Sequence, residues 1–331
     1  MEETSSSGQP QFENRIDLSA LAESVTQIRK NIGEWIVGQE RMVDLIITAL
    51  LADGHVLLEG VPGVAKTLTA KLVAKTVSVD FSRIQFTPDL MPSDVLGTSV
   101  FNAKTTDFEY RKGPIFSNIV LVDEINRAPA KTQASLFEVM EERQVSADIH
   151  TFQLEEPFLV LATQNPIEQE GTYRLPEAQL DRFLFKIEVD YPSLEEETMM
   201  LERFHRRRNR QDISQVKAVI SAEELMAYRA KIGEIHVEDH LLGYIATLVQ
   251  ETRQSHELYL GASPRASLSI LTTAKAYAAI NGRDFVTPED IKSMAIPVLV
   301  HRVILTPEAE MEGRRVHEVL QQMIDKVEVP R

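Results

Sequence analysis

The sequence contains no cysteine, which excludes disulfides, thiolate metal sites and a cysteine nucleophile. Its eight histidines are scattered, with no H-E-x-x-H, so a protein-held zinc site has little support. No apolar run approaches the roughly eighteen residues of a membrane span. Met1 to Gln11 is polar and acidic, unlike a signal peptide, so a cytoplasmic protein is the expectation. Basic residues are in the minority, 35 Lys and Arg against 50 Asp and Glu, for a formal net charge of −15. Such a balance disfavours nonspecific nucleic-acid binding over the whole surface, which depends on displacing counterions from phosphates. The one dense basic run, HRRRNR from His205 to Arg210, follows an amphipathic stretch from Leu194 to Phe204 with glutamates early and arginines late. That order complements a helix dipole and reads as a solvated helix end.

What is present begins at Val56, where VLLEGVPGVAKT runs to Thr67. An apolar strand delivers a tight loop, Gly60, Val61, Pro62, Gly63, Val64 and Ala65, followed by Lys66, Thr67 and Leu68 at the start of a helical pattern. Backbone N–H groups of such a loop wrap phosphate oxygens, and the helix points its positive end at them. Lys66 neutralises charge and Thr67 can ligate Mg²⁺. The pattern G-x-x-x-x-G-K-[ST] fails at Ala65, where glycine is expected. A negative φ there would make the added Cβ cheap.

A second apolar run, Ile119 to Val122, ends in Asp123 and Glu124, as a buried parallel strand does when its tip reaches a site. Asp123 would hold the metal and Glu124 would orient or deprotonate the attacking water. Taken alone, the two acids also admit a solvent-facing strand end or a helix cap, the weaker reading. A third run, Phe158 to Ala162, leads into Thr163, Gln164 and Asn165. Asn165 can hold the attacking water, although an Asn before Pro166 is by itself more often a turn former.

The loop GVPGVAKT, the strand VLVDEINRAP, the string ATQNPIEQEGTYRLPEAQLDRF and the later GASPRAS together resemble MoxR-type AAA+ ATPases. The resemblance covers nearly the whole chain after the first fifteen or so residues, and it makes Ala65 a usual substitution. It implies ATP and Mg²⁺ bound between neighbouring subunits of a homo-oligomeric ring, usually a hexamer. It places Asn165 on the first sensor, Arg182 on an arginine finger and Arg265 on a second sensor, at a lid helix start reaching back to the γ-phosphate. Guanidinium suits such roles because it stays charged and forks onto phosphate oxygens. Read without the resemblance, Arg182 is a surface partner for Asp181 or Glu177, and Arg265 an exposed first-turn arginine. Arg174 stands where the family often has proline and offers a second interface cation. IVGQE, Ile36 to Glu40, resembles the box lining the adenine pocket, with Val37 and Gly38 against the base.

The organisation expected is an α/β, AAA+ P-loop NTPase core with a parallel sheet between helices, then an all-helical lid. The divisions are a flexible arm at 1–15, a core at 16–190 and a lid at 191–331; 331 residues at 43% apolar composition suit two domains with a real core. Helices are expected from Leu18 to about Ile32 and from Glu40 to Leu51, with strands near 55–59, 82–86, 119–122, 158–162 and 184–188. Two excursions interrupt the rhythm: Thr98 to Phe101 with Asp107 to Tyr110, and a period-two stretch from Arg143 to Pro157. The resemblance matches them to the helix-2 insert and the pre-sensor-1 hairpin, on the pore face of the ring. Lid helices announce themselves by Ser193 with Glu196, Ser221 with Glu224, and Thr287 to Asp290. Met199, Met200 and Met226 read as bundle core. The function this supports is ATP hydrolysis coupled to rotation of lid against core, remodelling a protein client. The resemblance suggests clients with von Willebrand factor A domains that receive cofactors or metals. The alternatives from other classes are a ring ATPase translocating on nucleic acid and an ATP-gated scaffold without turnover.

Overall fold

The computed structural model describes residues 16–147, 150–166, 172–206 and 213–329. The expected arm, residues 167–171 of the long string and 207–210 of the basic run lie outside these. In chain order the first elements are α1 (Ser19–Gly33), α2 (Glu40–Leu51), β1 (His55–Gly60), α3 (Lys66–Thr76), β2 (Phe81–Gln85) and α4 (Pro92–Leu96). A hairpin of β3 (Gly97–Asn102) and β4 (Asp107–Lys112) precedes β5 (Ile119–Asp123), α5 (Ala130–Glu142) and a second hairpin, β6 (Gln144–Ala147) with β7 (His150–Gln153). Next come β8 (Leu159–Gln164), α6 (Glu177–Leu180) and β9 (Phe183–Val189). The helical part comprises α7 (Leu194–Arg206), α8 (Ala222–Gly233), α9 (Asp239–Gln254), α10 (Pro264–Ile280), α11 (Pro288–Leu299), α12 (Pro307–Met311) and α13 (Val316–Lys326), with a small antiparallel pair, β10 (Leu258–Leu260) and β11 (Ile304–Leu305).

Five strands form one parallel sheet in the order β2-β5-β8-β1-β9. Every residue of β5 is buried, as expected of a strand covered by helices on both faces and rich in branched apolar side chains. The register sets Gly60, Asp123 and Gln164 near the C-terminal edge, so the loops after β1, β5 and β8 converge there. At the opposite edge, buried His55 ties β1 to its neighbours: its Nε2 meets the Met140 carbonyl at 3.1 Å, and its Nδ1 accepts from Val160 N–H at 3.0 Å. Burial lowers the His55 imidazole to about 3, so it stays neutral and serves structure.

The helical part does not form a separate core. One apolar cluster runs from α1 and α2 through α3 into α8, α9, α10, α11 and α13. It packs behind α2 and the starts of β1 and β9, where His301 Nε2 lies 2.9 Å from the Phe183 carbonyl. Helix starts follow the capping rules: Ser221 accepts from Glu224 N–H at 3.2 Å while Glu224 accepts from Ser221 N–H at 2.8 Å, and Ser193 and Glu196 do the same. The methionine expectation fails on α7. That helix has no buried residue, and Met199 and Met200 are 43% and 40% exposed, because α7 lies on the surface, where Arg203 donates to the Gly33 carbonyl at the end of α1. Met226 is half-buried.

The two hairpins are joined by aromatic packing. Tyr110 of β4 stacks on Phe152 of β7 with centroids 4.6 Å apart, and Phe116 meets both rings edge-on. Phe101 and Phe108 form an exposed cross-strand pair at 5.4 Å. Among the described residues no helix is long and apolar enough to cross a membrane.

Candidate functional site

The C-terminal edge of the sheet opens into a cleft of about 510 Å³, within the usual range of small-molecule sites. One end is apolar, with Trp35, Ile36, Val37, Pro192 and Met200. The other carries Lys66, Thr67, Arg83, Gln85, Asp123, Glu124, Thr163 and Asn165. An apolar end beside a charged one suits a nucleobase and a polyphosphate.

The loop from Pro62 to Leu68 lines the cleft. Gly63 has φ +90°, a left-handed conformation in which an L side chain is strained. Gly60 and Val61 stand beside the lining; a Cβ on Gly60 would fall 2.5 Å from the Val189 carbonyl, so that glycine serves the packing of β1 on β9. Val37 lines the apolar end, whereas Gly38, at φ +77°, is pressed against the Glu196 side chain. Ala65 does not meet the condition that would make its Cβ cheap: its φ is +60°, not negative. The chain must turn left-handed there to enter α3, so alanine carries the strain that glycine would avoid, of order 1–2 kcal/mol. Lys66 Nζ donates to the Gly60 carbonyl at 2.6 Å, spanning the loop. Burial lowers the Lys66 ammonium from its ordinary range, and the negative charges of Asp123, Glu124 and Glu59 oppose that shift.

Asp123 is buried at the tip of β5. Its Oδ2 accepts from Arg83 Nε at 2.6 Å and its Oδ1 from Thr163 Oγ1 at 3.2 Å. Glu124 sits at φ +58°, ψ +52°, a second left-handed non-glycine residue in the site. Such conformations cost of order 1–3 kcal/mol and gather where function needs them. This turn lets Glu124 N–H donate to Thr163 Oγ1 at 3.0 Å, while Glu124 Oε2 accepts from Gln85 Nε2 at 2.8 Å and lies 3.0 Å from Arg127 Nε. Asn165 is buried and faces the same cleft. The protein's donors for a divalent cation are the Asp123 carboxylate and the Thr67 hydroxyl, hard oxygens that fit Mg²⁺ if substrate phosphates and water complete the shell.

The structure brings Lys66, Thr67, Asp123, Glu124 and Asn165 together, but not the arginines. Arg182 Nη1 donates to the Phe137 carbonyl at 2.6 Å, and Arg265 Nη2 pairs with Glu141 Oε1 at 2.5 Å. Phe137 and Glu141 are four residues apart on α5, so both arginines lie on one face of that helix. That face belongs to the edge where strands begin: Arg182 immediately precedes Phe183, which pairs with His55. Five residues of β1 separate this edge from Gly60, roughly 17 Å. Arg265 therefore does not reach back to the cleft of its own chain, because Ser263 at the start of α10 is held to Asp181 beside that far edge. Arg174 is exposed, 3.7 Å from Glu177.

Sequence reasoning missed Trp35, Arg83 and Gln85. Arg83 and Gln85 carry a legible signal, polar residues two apart in FSRIQF around buried Ile84, which places both on one face of a strand. It also missed Arg302, buried at 7%, whose Nε donates to Asp181 Oδ1 at 2.7 Å. Ser263 Oγ donates to Asp181 Oδ2 at 3.0 Å, so one carboxylate anchors both the start of α10 and the stretch after α11 beside Arg182 and Arg265. Asp181 is thus bonded to Arg302 and not to Arg182.

Comparison with known proteins agrees with this geometry. Residues 55–185 match the model of the ATPase family associated with various cellular activities (AAA), and residues 250–323 match the AAA lid domain. Chaperone MoxR1 of Mycobacterium tuberculosis is 44% identical over 304 residues, covering 89% of this chain and 79% of that protein. The uncharacterized protein YeaC of Bacillus subtilis is 48% identical over 304 residues, 91% of this chain and 93% of that one. A 2.00 Å crystal structure from Cytophaga hutchinsonii, described provisionally as an ATPase, superposes with a TM-score of 0.84 at 43% identity, covering 95% of this chain and 99% of that one. The parallel sheet with its phosphate loop, the helical part behind it and these relatives together establish that the chain belongs to the MoxR-type AAA+ ATPases.

Proposed function

We propose that this chain hydrolyses the β,γ bond of ATP in a homo-oligomeric ring, a hexamer by family resemblance, and that each active site is completed by a neighbouring copy. The observation that carries this reading is the split between the two groups of residues. The cleft holds a phosphate loop, a metal carboxylate, a base and a water-orienting amide, whereas Arg182 and Arg265 share a face at the opposite edge. A face carrying two arginines far from their own cleft suits presentation to the cleft of an adjacent subunit.

In this reading Lys66 and the loop amides hold the phosphates, and Glu124 takes a proton from the attacking water while Asn165 orients it. Bound Mg²⁺ would neutralise charge on the β and γ oxygens. Gln85 and Arg127 both hold the Glu124 carboxylate, so Glu124 must exchange these partners for water to act as a base. Arg182 and Arg265 of the next copy stabilise charge gathering on the departing phosphoryl group. The apolar cluster running across core and helical part opposes a swing between them within one chain, so we place the moving joint between subunits.

We assign the work to a protein client. Its support is the chaperone name of the Mycobacterium relative, the exposed Phe101 and Phe108 pair and the acidic balance, which disfavours nucleic acid. Family resemblance suggests a client carrying a von Willebrand factor A domain. The test uses two variants. Lys66→Ala is expected to lose ATP binding, read by the emission of the single Trp35 at the cleft. Glu124→Gln is expected to bind ATP and release no phosphate. Wild-type turnover in either variant refutes the site.

A further inference from the structure

The metal carboxylate is already engaged by a cation. Arg83 rises from β2, whose register sets Gln85 opposite Asp123 and Arg83 opposite Leu121. From two positions below, the arginine reaches up the strand to put Nε 2.6 Å from Asp123 Oδ2. Its Nη2 lies 3.4 Å from Gln85 Oε1, and Gln85 in turn donates to Glu124. The Asp123 side chain is 10% exposed whereas that of Arg83 is 50% exposed. The carboxylate is therefore fixed, and the guanidinium is the partner free to leave into water. A guanidinium at this distance and a divalent ion on the same carboxylate repel each other strongly in a half-buried site.

We propose that Arg83 is a built-in competitor for the divalent cation. It neutralises Asp123 when Mg²⁺ is absent, and the arriving ion must displace it. Arg83 thereby sets how much Mg²⁺ the protein needs before it holds ATP tightly. This rests on the assignment of Asp123 to the metal made above. An arginine that served only the fold would leave the metal requirement unchanged when replaced. One that gripped phosphate directly would, when replaced, weaken ATP binding to the same degree with and without metal.

The experiment titrates Mg²⁺ at a fixed, subsaturating ATP concentration and reads Trp35 emission, with ATP in excess chelator as the metal-free arm. Arg83→Gln keeps a polar side chain and removes the charge; Arg83→Lys keeps the charge. Expected is a half-saturating Mg²⁺ concentration lower by about five-fold in Arg83→Gln, the effect of losing one partly exposed ion pair. Metal-free ATP binding should weaken in the same variant, because Asp123 is left unneutralised, and Arg83→Lys should stay near wild type. A half-saturating concentration that is unchanged or raised in Arg83→Gln overturns the proposal while leaving the nucleotide site intact. Wild-type protein whose ATP binding ignores Mg²⁺ sinks this proposal together with the metal assignment beneath it.

Discussion

Asp181→Ala is expected to damage the fold strongly from outside the cleft. Arg302 is 2% exposed at its side chain and Asp181 is 26% exposed. Besides its bond to Asp181, the guanidinium donates to the carbonyls of Val298 at 2.7 Å and Phe183 at 2.8 Å. Burial lowers its pKa from the ordinary arginine range, and the Asp181 charge works against that. Removing the carboxylate strands a buried cation, at about 3 kcal/mol, the low end of the range for broken buried pairs because Asp181 keeps some contact with water. Arg302→Met removes the cation instead, and should cost about 1–2 kcal/mol because the Val298 carbonyl loses its side-chain donor and the Phe183 carbonyl keeps only His301. The double variant should then cost no more than about 2 kcal/mol, well below the sum of the singles. Denaturant unfolding of all four proteins measures the cycle. Additivity within about 0.5 kcal/mol would refute the coupling. Activity supplies a second axis: the pair flanks Arg182 and Arg265 but lies a strand's length from the cleft, so phosphate release should fall while ATP affinity holds.

Two smaller predictions concern backbone and hairpins. Ala65→Gly relieves a left-handed alanine worth about 1–2 kcal/mol but adds about 0.4–1 kcal/mol of unfolded-state freedom, so nucleotide-free protein should gain about 0.5–1 kcal/mol; destabilisation in a thermal melt would contradict the +60° φ. Phe152→Ala removes the ring that joins the two hairpins, so amide exchange across residues 97–112 should quicken while the sheet stays protected, and unchanged exchange would show that the hairpins are not coupled.

Much of this architecture is legible in the sequence because it depends on local pattern. α2 occupies Glu40–Leu51 as its apolar spacing indicates, and the five sheet strands fall within two residues of their apolar runs. The cleft residues follow from motifs in which side-chain type and position along a strand are fixed together. What escapes the sequence is docking. Whether the helical part covers the C-terminal edge or the starting edge depends on which apolar faces meet, and spacing alone does not encode that. The telling residue is Arg302, a lone charge amid apolar IPVLVHRVIL, which marks a buried partner without naming it. Met199 and Met200 mislead for the converse reason: an amphipathic pattern reports an apolar stripe, and α7 leaves that stripe exposed. Ala65 shows the same limit in the backbone, where residue type argues for a negative φ and the turn into α3 requires a positive one.

The central claim is that a cleft in one copy is finished by arginine from another. Mixing Glu124→Gln with Arg182→Ala tests it directly, since each variant alone is inactive and the first still carries the arginine that the second lacks. Arg182→Ala alone should lose about three to five orders of magnitude in turnover with ATP binding intact. Mixed assemblies should regain part of the wild-type rate, passing through a maximum as the ratio is varied. No regain at any ratio, with mixed assembly demonstrated, would contradict the shared site.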